Sequence, residues 1–240
     1  MLKNLYRSLM PDSLRAAVSY IRETIKWRKR IYFEYVLGVE RYPYKKYCDK
    51  YKCIFIHIPK NAGTSIITLL NNNNPIEQEH CRYWDYLRSD IVRLRSYEVF
   101  CVVRNPWDRL LSAYHYLKEG GSKGRDKNLT DMMNSQCDNF QDFVLNWLDY
   151  DKIYNITVLN PQFIYIYDFQ DKKLAVNNIL HFESLSEDFF AFQKKIGVTK
   201  SLPWINKSKN SDYKEHYTKE MVDVVSVFYA FDIKLFKYYF

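Results

Sequence analysis

Lys60, Gly63, Thr64 and Ser65 fall together where the apolar run "CIFIHIP", residues 53–59, gives way to the apolar run "SIITLL", residues 65–70. Glycine lets a backbone approach a ligand closely, the first N–H groups of a following helix lack intrahelical partners, and lysine adds a full positive charge. With two hydroxyl donors beside them, these residues suit a phosphate-like anion. A second place of this kind follows "YEVFCVV", residues 97–103. There Arg104 offers a planar fork matched to phosphate oxygens, and Ser112, two helical turns later, lies on the face that looks back toward it. A Walker A loop reads G-x-x-x-x-G-K-[ST]; here the lysine precedes the glycine by three positions, so this is a different loop.

The elements that must position these residues follow from the pattern around them. "YKCIFIHIP" and "YEVFCVV" read as buried strands, and each runs directly into a helix, "SIITLL" and "WDRLLSAYHYLK", the latter opened by Pro106 where proline costs least. Between them, "YWDYLRSDIVRLR" places Leu87, Ile91 and Leu94 on one helical face. "GGSKGRDKNLTDMMNSQCDN" is polar and glycine-bearing and reads as a surface loop. "FQDFVLNWL" is a further short helix. "NNILHFESLSEDFFAFQKKIG" gives a third passage from strand to helix, with Glu187 and Asp188 in the first turn, and the last helix lies near "KEMVDVVSVFYAF". Strands alternating with helices predict an α/β fold: a central parallel sheet with helices on both faces. In such a sheet ligands bind outside the carboxyl ends of the strands. The turns Lys60–Ser65 and Arg104–Asp108 are therefore expected to face one crevice.

The charge is unevenly placed. Of the net +8, residues 1–52 carry all the excess, 13 Lys/Arg against 5 Asp/Glu, and the remaining residues balance at 23 against 23. Residues 1–50 thus form a basic N-terminal extension, with an amphipathic helix carrying Leu14, Val18, Ile21 and Ile25, ahead of a domain over 51–240. That helix suits docking on the main domain, or peripheral contact with a membrane surface or a partner. The opening "MLKNLYRSLMPDSLR" holds no apolar stretch of signal-peptide length, and no window is apolar enough to span a bilayer, so a cytoplasmic protein, peripheral at most, is expected. Five cysteines without metal-ligand spacing read as reduced, partly buried thiols.

"HIPKNAGTS" followed by "VVRNPWDRLLSAYHYL" resembles the paired cofactor-binding signatures of sulfotransferases that use 3′-phosphoadenosine 5′-phosphosulfate (PAPS). It is most similar to the carbohydrate sulfotransferases related to the heparan and chondroitin enzymes and their bacterial relatives. "HFESLSEDF", "NKSK" and "FDIKLFKYYF" add weaker matches, and the resemblance covers about residues 51–240. It implies a three-layer fold like that of P-loop nucleotide-binding proteins. It also implies PAPS as co-substrate without a metal, and transfer of a sulfuryl group to a hydroxyl of a polysaccharide or other glycan. Lys60, Asn61, Ala62, Gly63, Thr64 and Ser65 would grip the 5′-phosphosulfate, Arg104 and Ser112 the 3′-phosphate, and Lys207 and Ser208 would close over the nucleotide. Lys60 would also stabilise charge on the leaving group.

A general base must take the acceptor's proton, and His80 in "QEHCRYWDY" is the candidate. It precedes a predicted helix, whose N-terminus disfavours an imidazolium and keeps the ring able to accept a proton. Relatives of this type place a histidine in this segment, though here Glu79 precedes it. His57 reads as a satisfied core residue, His115 as pointing to the packed face of its helix, and Glu183 as an acid that anchors a loop. Two other readings stay open. A kinase or phosphotransferase on a sugar or nucleotide would need a Mg²⁺ site, and Asn61 rather than Ser or Thr after Lys60 counts against it. A non-catalytic binding protein would use the basic leader. Nucleic acid is not expected as a partner, since the aromatics sit in apolar periodic segments rather than on a stacking platform.

Overall fold

The computed structural model describes residues 42–72, 79–121, 127–202 and 212–240. Two compact units divide the chain, Met1–Lys45 and Lys46–Phe240, and the second holds the sheet and its flanking helices. Its strands are β1 Cys53–Ile56, β2 Glu98–Val103, β3 Tyr167–Asp168, β4 Lys173–Leu174 and β5 Asn178–His181. The helices are α1 Lys46–Tyr51, α2 Gly63–Leu70, α3 Tyr83–Ser89, α4 Ile91–Ser96, α5 Pro106–Lys118 and α6 Lys127–Asn134. They continue with α7 Tyr150–Asn155, α8 Phe163–Ile166, α9 Leu185–Gln193, α10 Lys219–Phe228 and α11 Ala230–Phe236. Among the described residues no helix is long and apolar enough to cross a membrane.

The central sheet has the order β1-β2-β5 with both pairings parallel. Every residue of β1 is buried, as is β2 beyond Glu98, so these strands read as continuous apolar runs and not as alternating ones. Phe100 lies at the centre: its ring stands 5.0 Å from Phe55 on β1 and 4.4 Å from Phe192 on α9. This is the α/β, P-loop-like arrangement expected, a parallel sheet flanked by helices, with the ends of β2 and β5 paired in register, Val103 with His181, and β1 ending opposite Cys101. β3 and β4 form a separate antiparallel pair. A second core lies where α5 meets the Phe143–Trp147 segment and α10, around Trp107, Tyr114, Phe143, Trp147, Met221 and Tyr229. Burying each of these large side chains contributes roughly 1.5–3 kcal/mol, which fixes α5 against its neighbours.

Three stretches differ from the sequence reading. The single helix expected over "YWDYLRSDIVRLR" is broken at Asp90, which is extended and caps a new helix by accepting from the N–H groups of Val92 and Arg93. Ile91 is left 41% exposed while Leu94 is buried, so they do not share one packed face. Capping outcompetes helix continuation because Asp offers the backbone a ready acceptor. The polar stretch expected as a surface loop contains α6, whose Met133 joins the second core and whose Thr130 hydroxyl donates to the Leu117 carbonyl at 2.6 Å. Apolar contact decides it against composition. "FQDFVLNWL" is helical as expected, but widens into a π-helical turn over Phe143–Trp147. All five cysteines are buried and none is in a disulfide.

Candidate active site

The first turn leaves β1 through His57, Ile58 and Pro59 and enters α2 through Lys60, Asn61 and Ala62. Lys60 and Ala62 are both left-handed, with φ of 69° and 57°. Each costs roughly 1–3 kcal/mol for a residue with a Cβ, strain that persists only where surrounding contacts hold it. Four hydrogen bonds do so. Asn61, 1% exposed, donates from Nδ2 to the Val102 carbonyl and to Gln162 Oε1, both at 2.7 Å. Pro59 O accepts from Arg109 Nε at 3.0 Å, and Lys60 O accepts from Arg104 Nη1 at 3.0 Å. The result is a helix whose N-terminus follows a strained turn and has no side-chain cap. Such an end favours negative charge.

Positive charge gathers beneath and beside this turn. Arg109 is 2% exposed, and its guanidinium donates to two carbonyls, those of Pro59 and Val158. Lys60 Nζ stands 4.4 Å over the Tyr116 ring. Burial pushes the Lys60 ammonium down to about 8, helped by Arg104 and Arg109 and opposed by Glu119. A cation held at that cost gains from any anion that arrives.

The second turn is built differently. Arg104, 5% exposed, gives its fork to Asp108, Nε to Oδ2 at 2.7 Å and Nη2 to Oδ1 at 2.8 Å, with Phe182 4.0 Å below the guanidinium. Asn105 caps α5 by accepting from Trp107 N, Pro106 takes the first helical position, and Asn105 N donates to Glu183 Oε1 at 2.6 Å. Glu183 Oε2 in turn accepts from Tyr238 at 3.0 Å, so this acid anchors the turn and the C-terminal segment, as its position suggested. Fully buried Gln162 closes the gap beside β2 as a strand would. Its Oε1 accepts from Arg104 N at 2.9 Å and its Nε2 donates to Arg104 O at 2.8 Å. Gln162 and Phe163 donate their N–H groups to Asp232, whose carboxyl is pushed up to about 6 by burial.

His80 meets the first turn from the side. Its Nδ1 lies 3.1 Å from the His57 carbonyl. A carbonyl only accepts, so the assigned tautomer carries its proton on Nδ1 and leaves the Nε2 lone pair as the basic site. Burial lowers the ring's pKa below the ordinary imidazole value, opposed by the bond to His57 and reinforced by Arg109 and Lys60. The His57 and His80 rings are 4.3 Å apart.

The structure thus brings Lys60, Asn61, Ala62, Gly63, Thr64, Ser65, Arg104 and His80 into one neighbourhood, and the Arg104–Lys60 bond places the two turns side by side. Ser112 sits one turn past Asp108 on α5, half-buried. Lys207, Ser208 and residues 1–41 of the basic extension lie outside the described residues. The Asn61 side chain is committed to the interior, leaving its backbone for a ligand. Two histidine readings are corrected. His57 is buried but its Nδ1 has no partner, because the chain leaves β1 there and the ring turns onto Gly63. His115 is exposed and not on the packed face of α5, since Tyr114 and Leu117 take that face. Sequence reasoning missed Arg109, Gln162 and Asp232. Only Arg109 left a signal, a charge inside the apolar helical run "RLLSAYHYL".

A parallel sheet of this order, with strand-to-helix turns after β1 and β2 set side by side, defines a P-loop-like α/β protein. A profile of the sulfotransferase family matches residues 44–239, and the chain belongs to that family, which makes sulfuryl transfer its reaction class. An uncharacterised protein of Archaeoglobus fulgidus is 34% identical over 123 residues, 50% of this chain and 85% of the relative.

Proposed function

We propose that this sulfotransferase takes its sulfuryl group from PAPS and delivers it to a hydroxyl of a carbohydrate acceptor, with His80 as general base. The observation that carries the reading is the 3.0 Å bond from Arg104 to the Lys60 carbonyl, which sets two anion-binding turns against each other. A donor with a phosphosulfate at one end and a 3′-phosphate nearby needs two such turns at close range. The carbohydrate acceptor is supported by the motif resemblance alone.

The donor would supply an activated sulfuryl group, and its adenosine 3′,5′-bisphosphate part is the leaving group that departs with the electron pair of the broken S–O bond. The chain supplies the rest. Lys60 and the first-turn N–H groups of α2 hold the 5′ end and stabilise charge where the S–O bond breaks. Arg104 and Ser112 hold the 3′-phosphate, Arg104 through the donors that Asp108 leaves free. Arg109 adds a buried charge beneath the turn. His80 Nε2 takes the acceptor's proton as its oxygen bonds to sulfur, and its depressed pKa keeps it unprotonated at neutral pH.

The test is transfer of labelled sulfate from PAPS to a panel of glycans, paired with calorimetric binding of adenosine 3′,5′-bisphosphate. His80→Ala is expected to lose roughly 100- to 10,000-fold in transfer while keeping nucleotide affinity. ATP with Mg²⁺ is expected to give no phosphoryl transfer. Normal transfer by His80→Ala, or no uptake of the bisphosphate by the wild type, overturns the proposal.

A further inference from the structure

Gly63 was read as a glycine that lets a ligand approach, but the space beside it is already filled from within the protein. A Cβ added there would lie 1.8 Å from His57 Nε2, 2.0 Å from Cδ2 and 2.6 Å from Cε1. No side chain survives such a contact unless the imidazole moves. Nor is the glycine required by its backbone, since it begins α2 while the left-handed positions belong to Lys60 and Ala62. The glycine therefore answers to the histidine.

The His57 ring is confined on its other sides as well. It is 5% exposed, stacked on Phe55 at 5.7 Å, and tilted against His80 with ring centroids 4.3 Å apart. Its own carbonyl is the partner of His80 Nδ1. One residue thus touches His80 twice, through a main-chain acceptor that selects the tautomer and through a ring that limits where the His80 ring can lie. Its Nδ1 is sealed without a partner, which an apolar residue would avoid.

We propose that His57 is a positioning residue for His80: wedged between Gly63 and His80, its ring sets the orientation of the general base, and position 63 is glycine to admit that wedge. This rests on the reading of His80 as the base, and it deepens that reading by naming what aims it. The polar contact runs through the His57 carbonyl; the ring works by shape. Pushing the ring away from Gly63 pushes it onto His80, so a substitution at the first residue of α2 acts on a group that belongs to another segment.

A double-mutant cycle tests this. Gly63→Ala, His57→Ala and the double variant are compared by NMR titration of the His80 ring and by calorimetry with adenosine 3′,5′-bisphosphate, with His57→Ser as a parallel second background. Gly63→Ala alone is expected to move the His80 midpoint by about half a pH unit or more and to weaken the nucleotide about tenfold. In either His57 background, adding Gly63→Ala is expected to move the His80 midpoint by less than about 0.2 pH unit, because the cavity accepts the methyl. If Gly63→Ala does not fold, recovery of soluble, cooperatively melting protein in the double variant reads the same coupling. Equal damage from Gly63→Ala in all backgrounds overturns the proposal, and so does a His80 midpoint unmoved by loss of the His57 ring. Failure of the wild type to bind the bisphosphate removes the proposed function, yet the titration arm still decides the role of His57.

Discussion

Two turns of the same topology, each leading from a parallel strand into a helix, are stabilised in opposite ways. At the second, Asn105 caps the helix, Pro106 opens it, Glu183 accepts the turn's N–H and Asp108 pairs the arginine. At the first, two residues with side chains are left-handed, no side chain caps α2, and Lys60 keeps its charge against burial and two arginines. A turn that satisfies itself needs no ligand to be stable; a turn that holds strain and uncompensated charge gains when an anion binds. The difference teaches that the second turn is stable by its own contacts, while the first is the one that gains most from an arriving anion. Arg104 belongs to both, since it pairs within its own turn and holds the other by its carbonyl.

The sharpest way to break this comparison is Lys60→Met. If Lys60 serves an incoming anion, the variant loses about 100-fold in affinity for adenosine 3′,5′-bisphosphate and more in transfer. Its melting temperature is expected to stay level or rise, because a partly buried ammonium with a depressed pKa opposes folding. A large drop in melting temperature with affinity intact would make the first turn structural. Arg104→Ala reverses the pattern. It strands the Asp108 carboxylate and removes the clamp on Lys60 O, so stability measured by urea unfolding is expected to fall by about 2–3 kcal/mol. Arg104→Lys should recover little, since an ammonium cannot reproduce the fork.

What was legible in the sequence is what local chemistry determines. The buried strands, the helix start at Pro106 and the acids at the start of α9 follow from apolar runs and end preferences within a few residues, and each stands as expected. The break at Asp90 and the helix over Lys127–Asn134 went the other way. There a cap and a contact with a distant core outweighed periodicity and composition. The same division runs through the site. Lys60, Arg104 and His80 announced themselves by residue type beside a turn. Gln162 and Asp232 could not, because their role depends on α8 and α11 reaching the end of β2 from about 60 and 130 residues away along the chain, and sequence carries no local mark of such contacts.

The pH dependence separates the two turns by a smaller margin. Lys60 loses its proton at about 8 in the folded protein against 10.5 ordinarily. Bisphosphate affinity is therefore full below that midpoint and weakens as pH rises through it, by at most about tenfold per pH unit. Stability moves the other way. Between pH 8 and 10.5 the unfolded chain keeps a proton that the folded one has lost, so this group adds stability as pH rises across that window. Calorimetry at pH 7 and 9 on wild type and Lys60→Met checks both signs. Persistence of the affinity change in the variant would assign it to another group.

Asp108→Asn is expected to have the smallest effect and puts the finest question to the comparison. Asp108 takes Arg104 Nε and Nη2 at 2.7 and 2.8 Å, so a 3′-phosphate arriving at Arg104 must share a guanidinium whose charge is already partnered. Asn keeps one acceptor oxygen and drops the negative charge. If the pair competes with the ligand, the variant binds the bisphosphate about threefold more tightly and loses about 1 kcal/mol of stability, since Asn keeps one acceptor for a fork that is itself only 6% exposed. If Asp108 instead holds the fork in its binding orientation, affinity falls, because a guanidinium freed to rotate must be ordered again when the phosphate arrives. The direction of that change, read against an unchanged Lys60→Met result, decides whether the second turn merely supports the first or takes part in holding the nucleotide.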